Sequence, residues 1–150
     1  MAGIQLRSTA FADHDLIPSR HSRDGANVSP GLEWSGVPDG AAELLLLCED
    51  PDAPRGTFLH WLVTGIDPAA RGVGEGQRPA GGQEWPNGFG DRGWAGPQPP
   101  VGDRPHRYFF RLYALDQPIR LPSRPTADDV HRQVDRDALA SGSTVGRYQR

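Results

Sequence analysis

Lysine is absent from this chain of 150 residues: all 16 basic side chains are arginine. That removes the phosphate-reaching lysine of a nucleotide loop and the amine needed for a Schiff base. A single cysteine, Cys48, excludes an intramolecular disulfide and a thiolate metal cluster. It follows four leucines, Leu44 to Leu47, and reads as a buried, inert thiol. No run approaches the ~18 apolar residues of a membrane span, so integral membrane association is not expected. The opening MAGIQLRSTAFADHDLIP lacks the apolar core of a secretory signal, which makes a cytoplasmic location the expectation. Histidines spaced as metal ligands are missing too, as is a Gly-x-Ser-x-Gly elbow, and GVGEG stops short of a dinucleotide loop. Neither a metal nor a cofactor is expected. A formal net charge of −3 provides no attraction for nucleic acid or anionic lipid.

What is abundant is glycine, 19 residues, and proline, 15, alternating with apolar runs. Such a chain reads as short strands joined by turns, in one domain spanning 1–150. AELLLLCE and TFLHWLVTGI (57–66) are apolar on both parities, so both predict strands buried on two faces. HRYFFRLYALD predicts a third strand, and STVGRYQR a last short one. TADDVHRQVDRDALASG predicts the one helix, with Thr126 as N-cap, Asp128 and Asp129 in the first turn and Gly142 closing it. Val130, Val134 and Leu139 would form its apolar stripe. Residues 1–40 read as loop-rich. Residues 67–105 form a long Gly/Pro loop whose Trp85, Phe89 and Trp94 argue for order. The fold class is mostly β.

Alternate residues of a strand share a face about 7 Å apart. His106 and Tyr108 therefore point one way and Arg107 the other. If CEDPD stays extended, Asp50 and Asp52 share a direction; His60 faces away from both Leu59 and Trp61. Each has a plain reading as well. His60 can be a core histidine with its hydrogen bonds satisfied. Asp50 before Pro51 can be a turn former, and His106–Arg107–Tyr108 an edge-strand polar cluster. His14, His21 and His131, in loop or on a solvated helix face, receive no role. Residue chemistry alone gives a polar pocket without a purpose.

NVSPGLEW, EDPDAP, FLHWLV and GPQPPVGDRPHRYFFRLYALD, in this order, closely resemble the phosphatidylethanolamine-binding protein (PEBP) family. The likeness is greatest to its bacterial Raf-kinase-inhibitor-like branch and runs from about Phe11 to the terminal VGRYQR. The resemblance implies a β-sandwich around a central antiparallel sheet, with one or two short peripheral helices and a homodimeric assembly. It also implies a pocket for phosphate or a phospholipid headgroup. By motif position Asp50, Asp52, Pro54, His60, Pro100, His106 and Tyr108 match the family's ligand-binding residues. In that setting His60, His106 and Tyr108 would be donors to the anion, with Asp50 orienting an imidazole. Anion affinity should then fall as pH rises through the imidazole titration. The chain departs from bacterial relatives at Gln98, where many have cysteine, and at Arg136 and Asp137, near the end of a helix that borders the family's pocket or partner surface. It is also shorter than the eukaryotic members.

Three functions follow. A small-anion-binding module, with a regulatory role open to it, is the leading one. An acid–base enzyme of cyclase or isomerase type would use His60, His106, Asp50 and Tyr108 as catalytic groups. A kinase-inhibitor-like interaction module would act through the long loop and lose its partner on substitution of Trp85 or Trp94.

Overall fold

The computed structural model describes residues 3–150. Its strands are β1 (Gln5–Ser8), β2 (Leu32–Ser35), β3 (Glu43–Asp50), β4 (Phe58–Ile66), β5 (Gly72–Val73), β6 (Gln83–Glu84), β7 (His106–Leu115) and β8 (Ala138–Tyr148). One helix, α1 (Ala127–Asp137), precedes β8. The strands pair antiparallel in two sheets, ordered β1-β2-β5 and β6-β4-β3-β7-β8.

β3 is central because both its faces are apolar. Leu44, Leu46 and Cys48 face the small sheet and pack with Leu6, Trp34, Trp61 and Phe110. Leu45 and Leu47 face the other way, onto Leu62, Leu115 and the helix residues Val130 and Val134. All four leucines are fully buried, and each contributes roughly 2 kcal/mol of burial free energy. The helix starts where its sequence predicts. The Thr126 side chain accepts from the Asp129 N–H, and the Asp129 carboxylate accepts from the Thr126 N–H, a reciprocal capping box. Glu49, buried beneath it, accepts from His131 Nε2 and Arg111 Nε.

Several expectations are corrected. The helix ends at Asp137 and β8 begins at the next residue, so Gly142 lies inside a strand and Leu139 is not on the helix. Pairing of β8 with β7 along ten positions outweighs the local helical pattern. β1 and β2 escape a loop-rich reading because they are only four residues long, though each alternates buried and exposed positions. His21 is buried and donates from Nδ1 to the Val28 carbonyl, and His131, half-buried on its helix, is also bonded to Glu49. The 67–105 loop is tied down from within. Trp85 Nε1 donates to Thr64, and Trp94 Nε1 to the His21 carbonyl, with the Trp94 ring against Trp61 and Phe110. These two half-buried indoles anchor the loop to the sheet.

Candidate functional site

Antiparallel pairing brings the end of β3 next to the starts of β4 and β7, which gathers Asp50, Phe58, His60, His106 and Tyr108 at one end of the large sheet's three inner strands. They line a cavity of about 200 Å³. Pro54 from the turn after β3, Phe89, and the run Gln98, Pro99 and Pro100 add to its lining. Of the residues singled out from sequence, all but Asp52 line it.

His60 reaches the cavity through an irregularity. Cys48 pairs with Trp61 and Glu49 with Leu59, so one residue of β3 is passed by two of β4 and His60 is the extra one. A bulge of this kind re-aims side chains. Leu59 packs on the helix side and Trp61 on the small-sheet side. The expectation that both neighbours face away from His60 therefore holds for Leu59 alone. The ring of His60 stands edge-on to Tyr108, with centroids 5.1 Å apart. Its Nδ1 lies 2.6 Å from the Ala95 carbonyl, which can only accept, so Nδ1 carries the proton. Burial pushes the imidazole pKa down to about 4, against the Ala95 bond and with help from the Arg23 charge. His60 is thus neutral, and its Nε2 is a lone-pair acceptor, not the donor expected from sequence.

Tyr108 is the complement. Its hydroxyl bonds to no protein group, and among the described residues no buried side-chain nitrogen or oxygen lacks a partner, so the hydroxyl opens to the cavity. Burial first, then the Asp50 charge, raises its pKa, which keeps it a donor.

His106 is held between two acids: Nδ1 is 2.7 Å from Asp50 Oδ2, and Nε2 is 3.0 Å from Asp103 Oδ2. Burial works against its charged form, but the two carboxylates outweigh it and the pKa is raised. Burial lifts the Asp50 carboxyl in turn, opposed by the His106 bond and the Asp52 N–H. The two groups titrate as a pair joined by the Nδ1–Oδ2 hydrogen bond.

Asp52 has a different task. The chain turns after Asp50 instead of staying extended: Asp52 N–H donates to Asp50 Oδ1 at 2.7 Å, an Asx turn. Its carboxylate accepts from Arg107 Nε, Nη2 and backbone N–H at 2.8–2.9 Å. The two-pronged pair pins the turn to the start of β7 and lowers the Asp52 pKa. Asp52 therefore positions Asp50 and His106 without touching the cavity. Asp137, whose carboxylate accepts from Gln117, and helix α1 are likewise absent from the lining.

Two contributors were not singled out from sequence. Asp103 sits in a Gly/Pro loop whose composition gives no site signal; its i−3 spacing to His106 is the one local cue. Arg23 lies 3.9 Å over the Phe89 ring at the cavity's flank and forms no ion pair with a described carboxylate; nothing in its local sequence signals this.

Comparison with known proteins agrees with this architecture. A Methanothermobacter thermautotrophicus protein designated UPF0098 is 41% identical, covering 98% of this chain and 99% of its own length. A Mycobacterium tuberculosis protein whose name describes it as a candidate lipoprotein, LppC, is 42% identical over 97% of this chain and 72% of its own. Escherichia coli YbcL, described as a member of the mammalian PEBP family, superposes with a TM-score of 0.90 at 28% identity over 99% of both chains. The Chlamydia trachomatis PEBP homologue CT736 gives 0.87 at 32% identity over 100% of this chain and 99% of its own. The family model described as phosphatidylethanolamine-binding protein matches residues 7–149. With the two-sheet fold, the strand-end cavity and a match across nearly its whole length, this chain belongs to the phosphatidylethanolamine-binding protein family.

Proposed function

We propose that this chain binds a small, singly protonated oxyanion group, as a phosphomonoester or inorganic phosphate supplies, and does so without turnover. One observation carries the reading: a single cavity offers an unpaired donor, the Tyr108 hydroxyl, and an unpaired acceptor, His60 Nε2. A phosphate monoanion has both complements, a P–OH for His60 and oxygens for Tyr108. The His106 imidazolium adds positive charge on the same side, and the Arg23 guanidinium flanks the mouth. Phe58, Phe89 and the prolines exclude water, which strengthens these polar contacts.

The same groups are poorly tuned for acid–base turnover at neutral pH. His60, at about 4, is a weak base, and His106, its Nδ1 committed to Asp50 and its pKa raised, has no free lone pair to serve as one. A homodimer goes with the family resemblance, and light scattering in solution tests it. No described helix is long and apolar enough to cross a membrane; a cytoplasmic location stays part of the reading, and cell fractionation tests it.

Thermal shift with inorganic phosphate and with phosphoethanolamine is the direct experiment. Both should raise the unfolding midpoint by mass action, and the shift should vanish in His106→Ala and shrink in Tyr108→Phe. A larger shift with phosphoethanolamine identifies a headgroup source; equal shifts identify free phosphate. Because a phosphomonoester loses its second proton near pH ~6, the shift should fall as pH rises from there. No shift with either compound, or one unchanged in both variants, ends the reading.

A further inference from the structure

We infer that Asp103 is a built-in competitor for the anion site: its carboxylate holds the outward N–H of His106 until an incoming oxyanion displaces it. This rests on the anion-binding reading above and adds its regulation.

The two acids on His106 are not equivalent. Asp50 is rooted at the end of a central strand, is buried, and is fixed by the Asp52 N–H. Asp103 is 44% exposed and stands on the surface segment between Pro100 and Pro105. That segment carries the most exposed large apolar side chain among the described residues, Val101 at 77%, and Gly102 at φ +90°. Two bonds, Gly102 N–H to the Arg150 carbonyl and Asp103 N–H to the Pro100 carbonyl, tie its backbone down. A Cβ placed on Gly102 meets nothing within 4 Å, so this side of the turn faces open space.

A carboxylate oxygen and a phosphate oxygen are the same kind of partner for Nε2–H, and the proton can serve one of them at full strength. With Asp103 seated, a phosphate in the cavity meets the carboxylate's charge and finds the strongest donor engaged. Binding therefore requires the 101–104 segment to give way, and apparent affinity is reduced by the fraction of molecules in which it has. A half-exposed pair three residues apart contributes little to folding, so its main effect falls on ligand access.

Calorimetric titration of the full chain with inorganic phosphate at neutral pH, as wild type, Asp103→Asn and Asp103→Ala, tests this. Both variants should bind about fivefold more tightly. In the wild type, saturating phosphate should shift the Gly102 and Asp103 amide resonances. Binding detected in the variants alone supports the inference equally. Affinities within twofold of wild type overturn it while leaving the binding reading intact. So do tighter variants whose wild-type parent keeps both amides unmoved, since charge repulsion alone would then suffice. Phosphate binding to none of the three overturns both.

Discussion

His106 Nδ1 and Asp50 Oδ2 lie 2.7 Å apart, both side chains buried, although 56 positions separate them in the chain. A folded-state imidazole pKa raised above the ordinary ~6.5 means the pair stabilises the fold fully below that value. The contribution is lost as pH rises through the folded pKa.

Asp50→Ala should therefore cost roughly 3 kcal/mol at pH 6, the scale for breaking a buried ion pair, and less at pH 9. Urea unfolding at the two pH values measures it. Equal losses at both would assign Asp50 a packing role only.

His60 works in the opposite direction. Its pKa is depressed to about 4, so between ~6.5 and that value the unfolded chain binds the extra proton and stability falls as pH falls. The gap corresponds to about 3 kcal/mol. His60→Gln should flatten that slope. Taking the difference between wild type and variant cancels the opposing contribution of Asp50, whose pKa is raised. A variant with the same acid slope as wild type would show that another group carries it.

Gly88 adjoins the cavity through Phe58. A Cβ there would lie 2.5 Å from the tip of the Phe58 ring, which itself lines the pocket and contacts His60 at 4.8 Å between centroids. Gly88→Ala should push the ring inward and reduce phosphate affinity by about tenfold, at the low end of the ~1–3 kcal/mol that overpacking costs. Titration calorimetry checks this. Unchanged affinity would mean the loop, not the ring, gives way.

Cys48 is fully buried between Trp61 and Phe110, and burial, then Glu49 and Asp50, raises its thiol pKa. An aromatic disulfide reagent should label it only as fast as the protein unfolds, because the thiolate is the nucleophile. Rapid labelling of the native chain would contradict that burial.

Local pattern was enough for β3, β4, β7 and the start of α1, since their apolar runs and cap residues lie within a few positions of one another. It failed at the end of α1, where ten cross-strand pairs with β7 take over from Ala138. Motif likeness and strand parity brought His106 and Tyr108 to one side. Parity misjudged His60, because a bulge changes the count, and Asp50–Asp52, because an Asx turn ends the extended run.

The amino-acid order determined which groups were available: a chain without lysine, with two acids beside rigid prolines and imidazoles set in apolar strands. Only the folded chain decided their states. The Ala95 carbonyl makes His60 an acceptor, paired carboxylates keep His106 charged, and Arg107 draws Asp52 out of the cavity. Each outcome depends on a partner dozens of residues away or on a local turn in the backbone. Protonation and direction answer to the field and geometry of neighbours in space, which residue order does not encode locally.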